Sequence, residues 1–121
     1  MTIGKKIKSK YGDLTLKIYS YTDNNRLAIL LYNEEGELFN DLTINLSNMF
    51  ISDIDEGFID DFINSKEFDI VKILKRENVI VYSYGLMNYN YGRYEYVKFN
   101  LDKLKEYDNE GYNNYMKLYE V

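Results

Sequence analysis

Apolar and polar residues alternate with a period of two through the first third of the chain, the mark of strands buried on one face. In "DLTLKIYSY", Leu14, Leu16 and Ile18 fall on one side and Thr15, Lys17 and Tyr19 on the other. A weaker strand precedes it, with Ile3 and Ile7 opposite Lys6, Lys8 and Lys10; Tyr11-Gly12-Asp13 reads as the turn between the two. After the turn residues "TDNN", "RLAILLY" is apolar almost throughout, as a central strand covered on both faces would be. "NEEGE" predicts a tight hairpin in which Gly36 takes the left-handed conformation. "ELFNDLTINL" resumes the alternation, with Leu38, Leu42, Ile44 and Leu46 on one face. Residues 3 to 46 thus predict a four-stranded antiparallel meander.

The period then changes. Ser52 and Asp55 have the spacing of a capping box. Phe58, Ile59, Phe62 and Ile63 recur as one stripe of a helix that packs on the sheet and ends near Asn64. On this reading Asp53, Asp55, Glu56, Asp60 and Asp61 occupy its first turns or its solvent face, where negative charge suits a helix N-terminus. "DIVKILK" and "NVIVYSY" predict two strands joined by Arg76-Glu77-Asn78, "GLMNYNYG" a loop bounded by Gly85 and Gly92, and "RYEYVKF" a further strand. "NLDKLKEY" predicts a short helix capped by Asn100. Strand and helix patterns compete over the last ten residues, and the strand is preferred. The expected fold is α+β: a mainly antiparallel sheet of six to seven strands with one α-helix on a face, in a single domain over residues 1–121.

Composition narrows the chemistry. The 121 residues include no Cys and no His. Disulfides, thiolate nucleophiles, Ser-His-Asp hydrolysis and the commonest metal ligands go with them. Carboxylate, lysine and tyrosine chemistry remains. Net charge is −5, so the broad basic footprint of a general nucleic-acid binder is missing, although Lys5, Lys6, Lys8 and Lys10 form a basic strip. No apolar run approaches the ~20 residues of a membrane span, and the N-terminus lacks the apolar segment of a secretory signal. A cytoplasmic protein is expected. Richness in Lys, Asn, Ile and Tyr, with a single Ala and no Pro or Trp, fits an AT-rich genome such as that of a low-GC Gram-positive bacterium or its phage.

The stretch "KYGDLTLKIYSYTDNNRLAILLYNEEGELFNDLTINLSN" resembles a family of small uncharacterised proteins from gut bacteria, phages and mobile elements. The resemblance is carried by Lys10-Tyr11-Gly12, Tyr21, Asn25, Leu27-Ala28-Ile29, Gly36-Glu37 and Leu42-Thr43-Ile44-Asn45-Leu46. The final "KLYEV" is similar to the family's terminal aromatic strand, without the prolines found there. The resemblance implies a fold and a mobile-element setting and supplies no catalytic residues.

Two features stand out as candidate sites. Asp53-Ile54-Asp55-Glu56-Gly57 suggests a calcium loop, but Gly57 sits where a third ligand is needed and Asn64 where the bidentate Glu should be. No metal or cofactor is therefore expected. Together with Glu34, Glu35, Glu37 and Asp41, the same acidic residues could imitate a phosphate backbone, or simply keep the surface solvated. The second feature is "YSYGLMNYNYGRYEY", six tyrosines in fifteen positions. Tyr82, Tyr84, Tyr94 and Tyr96 suit a cross-strand cluster. Leu86, Met87, Tyr89 and Tyr91, with Arg93, suit a protein-binding loop. Base stacking on this segment would want more cations than Arg93 and Lys98.

The expectation is a small acidic binding protein with no catalytic residues. Its partner surface is assigned to Leu86, Met87, Tyr89, Tyr91 and Arg93 and to Asp53, Asp55, Glu56, Asp60 and Asp61. The function class is a phage- or mobile-element-encoded inhibitor of a host protein, such as an antiviral defence effector, with self-association left open. The rival classes are a carboxylate-based enzyme and a nucleic-acid-binding accessory protein.

Overall fold

The structure, a computed structural model, describes residues 4–61 and 69–120. Strands β1 (Lys6–Ser9), β2 (Gly12–Ser20), β3 (Leu27–Tyr32) and β4 (Leu38–Asp41) form an antiparallel sheet in chain order, the expected meander. Ile7 lies opposite Leu14, Leu16 opposite Leu31 and Ile18 opposite Ile29, so one face carries the buried set. Gly36 takes φ 83° in the β3–β4 turn, a conformation glycine adopts without steric cost. The alternation predicted from Leu38 to Leu46 fails. Leu42 and Leu46 are buried, whereas Leu38 and Ile44 are exposed. After Asp41 regular pairing ends but the segment stays on the edge of β3: Leu42 and Thr43 donate backbone N–H to the Ile29 carbonyl, and Thr43 Oγ1 accepts from Ile29 N.

The expected helix after Ser52 is replaced by strand β5 (Glu56–Asp60). Gly57 is a poor helix former, and Glu56 through Ile59 are all buried, as in a strand covered on both faces. Adjacent buried residues such as Phe58 and Ile59 satisfy a helical stripe and such a strand equally well. Phe62, Ile63 and the predicted helix end at Asn64 lie outside the described residues. The converse correction applies to "DIVKILK". It forms helix α1 (Ile70–Arg76), burying Ile70, Val71 and Leu74 on one stripe. A strand there would have set Lys72 on the same face as Ile70 and Leu74.

Strands β6 (Ile80–Tyr89) and β7 (Gly92–Phe99) complete a second antiparallel sheet of order β5-β7-β6. The predicted loop from Gly85 to Gly92 is mostly strand. Only Asn90 and Tyr91 turn, at φ 46° and 67°, between the paired Tyr89 and Gly92. Helix α2 (Leu101–Tyr107) is capped by Asn100 as expected, its side chain accepting from the Lys103 amide. The C-terminal segment is a helix, α3 (Asn109–Lys117), and not the preferred strand. Its glycine explains the packing. Gly111 sits against Ile18 O and Asp108, with no room for a Cβ. The described residues thus hold seven strands in two sheets and three helices.

Both sheets and all three helices feed one core, including Leu16 and Ile29, Ile59 and Val97, and Ile70, Leu104 and Tyr115. β1 pairs only with the first part of β2, from Gly12 to Thr15. The uncovered part of the β2 edge is closed by α3, where Asp108 Oδ2 accepts from Ile18 N at 2.8 Å and Oδ1 from Gly111 N at 3.1 Å. No helix among the described residues is long and apolar enough to cross a membrane.

Candidate functional site

Strand register divides the second sheet into two faces. Gly57, Ile59, Val97 and Phe99 alternate onto the core side. Glu56 opposite Lys98, Phe58 opposite Tyr96 and Asp60 opposite Tyr94 occupy the other, and β6 adds Tyr82 beside Lys98 and Met87 beside Tyr94. A bulge between Ser83 and Gly85 inserts Tyr84 as an extra residue, with Gly85 at φ 112°. Four rings then make a continuous row. Tyr82 to Tyr84 is 4.9 Å between centroids, Tyr84 to Tyr96 is 4.5 Å, and Tyr96 to Phe58 is 4.9 Å. The expected quartet of tyrosines is corrected in one member, since Phe58 stands where Tyr94 was anticipated.

The row runs from the interior to solvent. Phe58 is 1% exposed, Tyr84 46% and Tyr82 57%. Under it lies Glu56, only 2% exposed. Its carboxylate accepts from Ser52 N at 2.7 Å, Ser52 Oγ at 2.8 Å, Asp53 N at 3.1 Å and the Tyr84 hydroxyl at 2.6 Å, and also from the Tyr96 hydroxyl. Burial alone would raise the Glu56 pKa. The hydroxyls of Tyr84, Tyr96 and Ser52 outweigh it and hold the group down at about 2. The same contact pushes the Tyr84 phenol up to about 12, its hydrogen bond to Glu56 being the first cause and burial the second. A carboxylate satisfied by this many donors has little appetite for a proton. It anchors Tyr84 and Tyr96 more readily than it serves as a base.

The acidic candidates therefore do not form one open surface. Glu56 is internal, and Asp55 Oδ2 pairs with Lys98 at 2.7 Å while its Oδ1 is buried without a hydrogen-bond partner among the described residues. Asp53 turns its carboxylate back to the Ile54 amide. Asp60 and Asp61 are half-buried at the far end of β5, where Asp61 stands 3.9 Å from Arg93. Among the described residues, no three acidic groups are arranged to hold a metal ion. The candidates on β6 are also divided. Leu86 lies across from Glu95 and Met87 across from Tyr94, so they face opposite sides. Tyr89 is half-buried and its hydroxyl accepts from Asn48, while Tyr91 projects fully from the turn.

Sequence reasoning missed the anchoring role of Glu56 and the outward position of Tyr82 and Tyr84. One signal was available for the second, since a glycine inside a strand pattern marks a bulge. A family model described as "Domain of unknown function (DUF4313)" matches residues 15–119. No curated protein and no solved structure matches the chain.

Proposed function

The chain belongs to the DUF4313 family, a domain of unknown function, and from the site it carries we propose a non-enzymatic binding protein that grips another protein through the open end of the aromatic row. The observation that carries this reading is the pinned, half-exposed ring of Tyr84. It meets Tyr82 edge to face and Tyr96 at a 30° tilt, and is tethered through its hydroxyl to a buried carboxylate. A ring already fixed in place loses little entropy on binding, which is how tyrosine comes to dominate protein interfaces. Exposed Tyr82, edge-on to it, extends the aromatic surface beside it.

The partner is proposed to be a host protein, with an antiviral defence effector as the class of choice, and the chain to be its phage- or mobile-element-encoded inhibitor in the host cytoplasm. Small size, net charge −5 and an AT-rich residue usage support this finer reading. The test is affinity capture from a lysate of a low-GC Gram-positive bacterium, using the wild type beside Tyr82→Ala and Tyr84→Ala. A stoichiometric partner should be retained by the wild type. The variants should weaken it about 30-fold if each removes a central contact of ~2 kcal/mol. Equal retention by folded variants, or no stoichiometric partner at all, would refute the reading.

A further inference from the structure

The outward face of the first sheet carries a different chemistry. Register sets Lys6, Thr15 and Tyr32 side by side on β1, β2 and β3, with Lys17 and Tyr19 next along β2 on the same face. Lys6, Thr15, Lys17, Tyr19 and Tyr32 line a concavity of about 380 Å³. Most lysines in this part of the chain are already engaged. Lys5 pairs with Glu106 at 2.6 Å and Lys8 with Asp13 at 3.5 Å, while Lys10 lies over the Tyr11 ring. Lys6 and Lys17 have no ion pair among the described residues. In a chain of net charge −5, two uncompensated ammonium groups on one concave surface are out of character.

We propose that this concavity binds a phosphate monoester. Two ammonium groups and the hydroxyls of Thr15, Tyr19 and Tyr32 make a donor-rich lining. A phosphate monoester supplies the complement, with nearly two negative charges and three strong acceptor oxygens. The lining also contains Glu34. Its carboxylate is turned to the β1–β2 turn, where it accepts from Asp13 N at 3.4 Å, and so sits at one end of the site. Lys17 borders the neighbouring groove beside Asp108 and Glu110 as well, so Lys6 is the less contested of the two cations. A hydrogen bond to Tyr32 raises the Tyr19 phenol above its ordinary pKa; one of the two hydroxyls donates to the other, which leaves the pair one donor for a ligand.

The experiment is a titration of the full chain with inorganic phosphate and with adenosine monophosphate, followed by backbone amide NMR shifts, with adenosine as the uncharged control. Saturable shifts centred on Lys6, Thr15 and Lys17 with both phosphate probes are expected, with none from adenosine. Lys6→Ala and Lys17→Ala should each weaken binding about tenfold, the worth of one charge-assisted hydrogen bond. Lys6→Arg should retain it, and Lys72→Ala, at an exposed position of α1, should leave it unchanged. Both lysines of the site are exposed, so an unchanged melting temperature will show that the variants fold. Absence of saturable shifts with either phosphate probe overturns the proposal. Equal losses in Lys72→Ala also overturn it, since they would mean diffuse charge attraction.

Discussion

Glu56 is ionised in a setting where an isolated carboxylate would be expensive, and its donors come from three separate places in the chain. Ser52 is four residues away, Tyr84 is 28 and Tyr96 is 40. Its folded pKa of about 2 lies below the ordinary carboxylate value. The stability it contributes is therefore present above roughly pH 4.3 and is lost as pH falls toward 2. Glu56→Gln should destabilise the fold by about 1–3 kcal/mol at neutral pH. Urea unfolding at a series of pH values checks this. The gap between wild type and variant should close as pH falls from about 4.5 to 2, and a gap independent of pH would contradict the arrangement. The residue was legible only as an acid near a serine. Ser52 and Asp55 have capping spacing, but the side chain that closes the turn on Ser52 is the next one, Glu56. Nothing local distinguishes the two acids. The phenols that decide between them arrive through the pairing of β5, β7 and β6.

At the scale of elements, the β6–β7 turn combines two demands. A two-residue hairpin turn with both central residues at positive φ normally carries Asn-Gly. Here Asn90 is followed by Tyr91, an aromatic residue held at φ 67° with its ring wholly in solvent. The left-handed conformation costs a side-chain-bearing residue about 1–2 kcal/mol. Tyr91→Gly relieves that cost and gives part back through a freer unfolded chain, so a net stabilisation of about 0.5–1 kcal/mol is expected in thermal or urea unfolding. A loss of stability would mean that the Tyr91 ring packs against the fold. Of the elements that were read well from sequence, β1, β2 and α2 are those in which a single face is buried or a cap is local, and β3, buried on both faces, is bounded by clear turn residues on either side. The misread ones share a physical reason. β5 is covered on both faces, so its adjacent Phe58 and Ile59 imitate a helical stripe. α1 is built from Ile and Val, which favour strands, yet Ile70, Val71 and Leu74 are buried together only at helical spacing. Tertiary burial settled both against local preference.

Across the whole molecule, the two sheets are separate in hydrogen bonding but joined through their surroundings. An isolated bridge connects Ile44, beyond the first sheet, with Phe58 of β5. α3 reaches both sides: Asp108 at its start holds the β2 backbone through Ile18, and the Tyr115 hydroxyl donates to the Ile54 carbonyl just before β5. The buried side chains of both sheets belong to one cluster. A three-stranded sheet stripped of that cluster would expose Ile59, Val97 and Phe99 together, and small sheets are marginal without such a face covered. The two sheets should accordingly unfold in one transition. Far-ultraviolet circular dichroism and tyrosine fluorescence should give coincident urea curves. Hydrogen exchange should assign core amides of β2 and β7 the same opening free energy. If β5, β6 and β7 open first, at lower denaturant, the shared core does not couple the sheets. The aromatic row would then sit on a locally unstable platform, and Tyr84 would lose the rigidity on which its proposed grip depends.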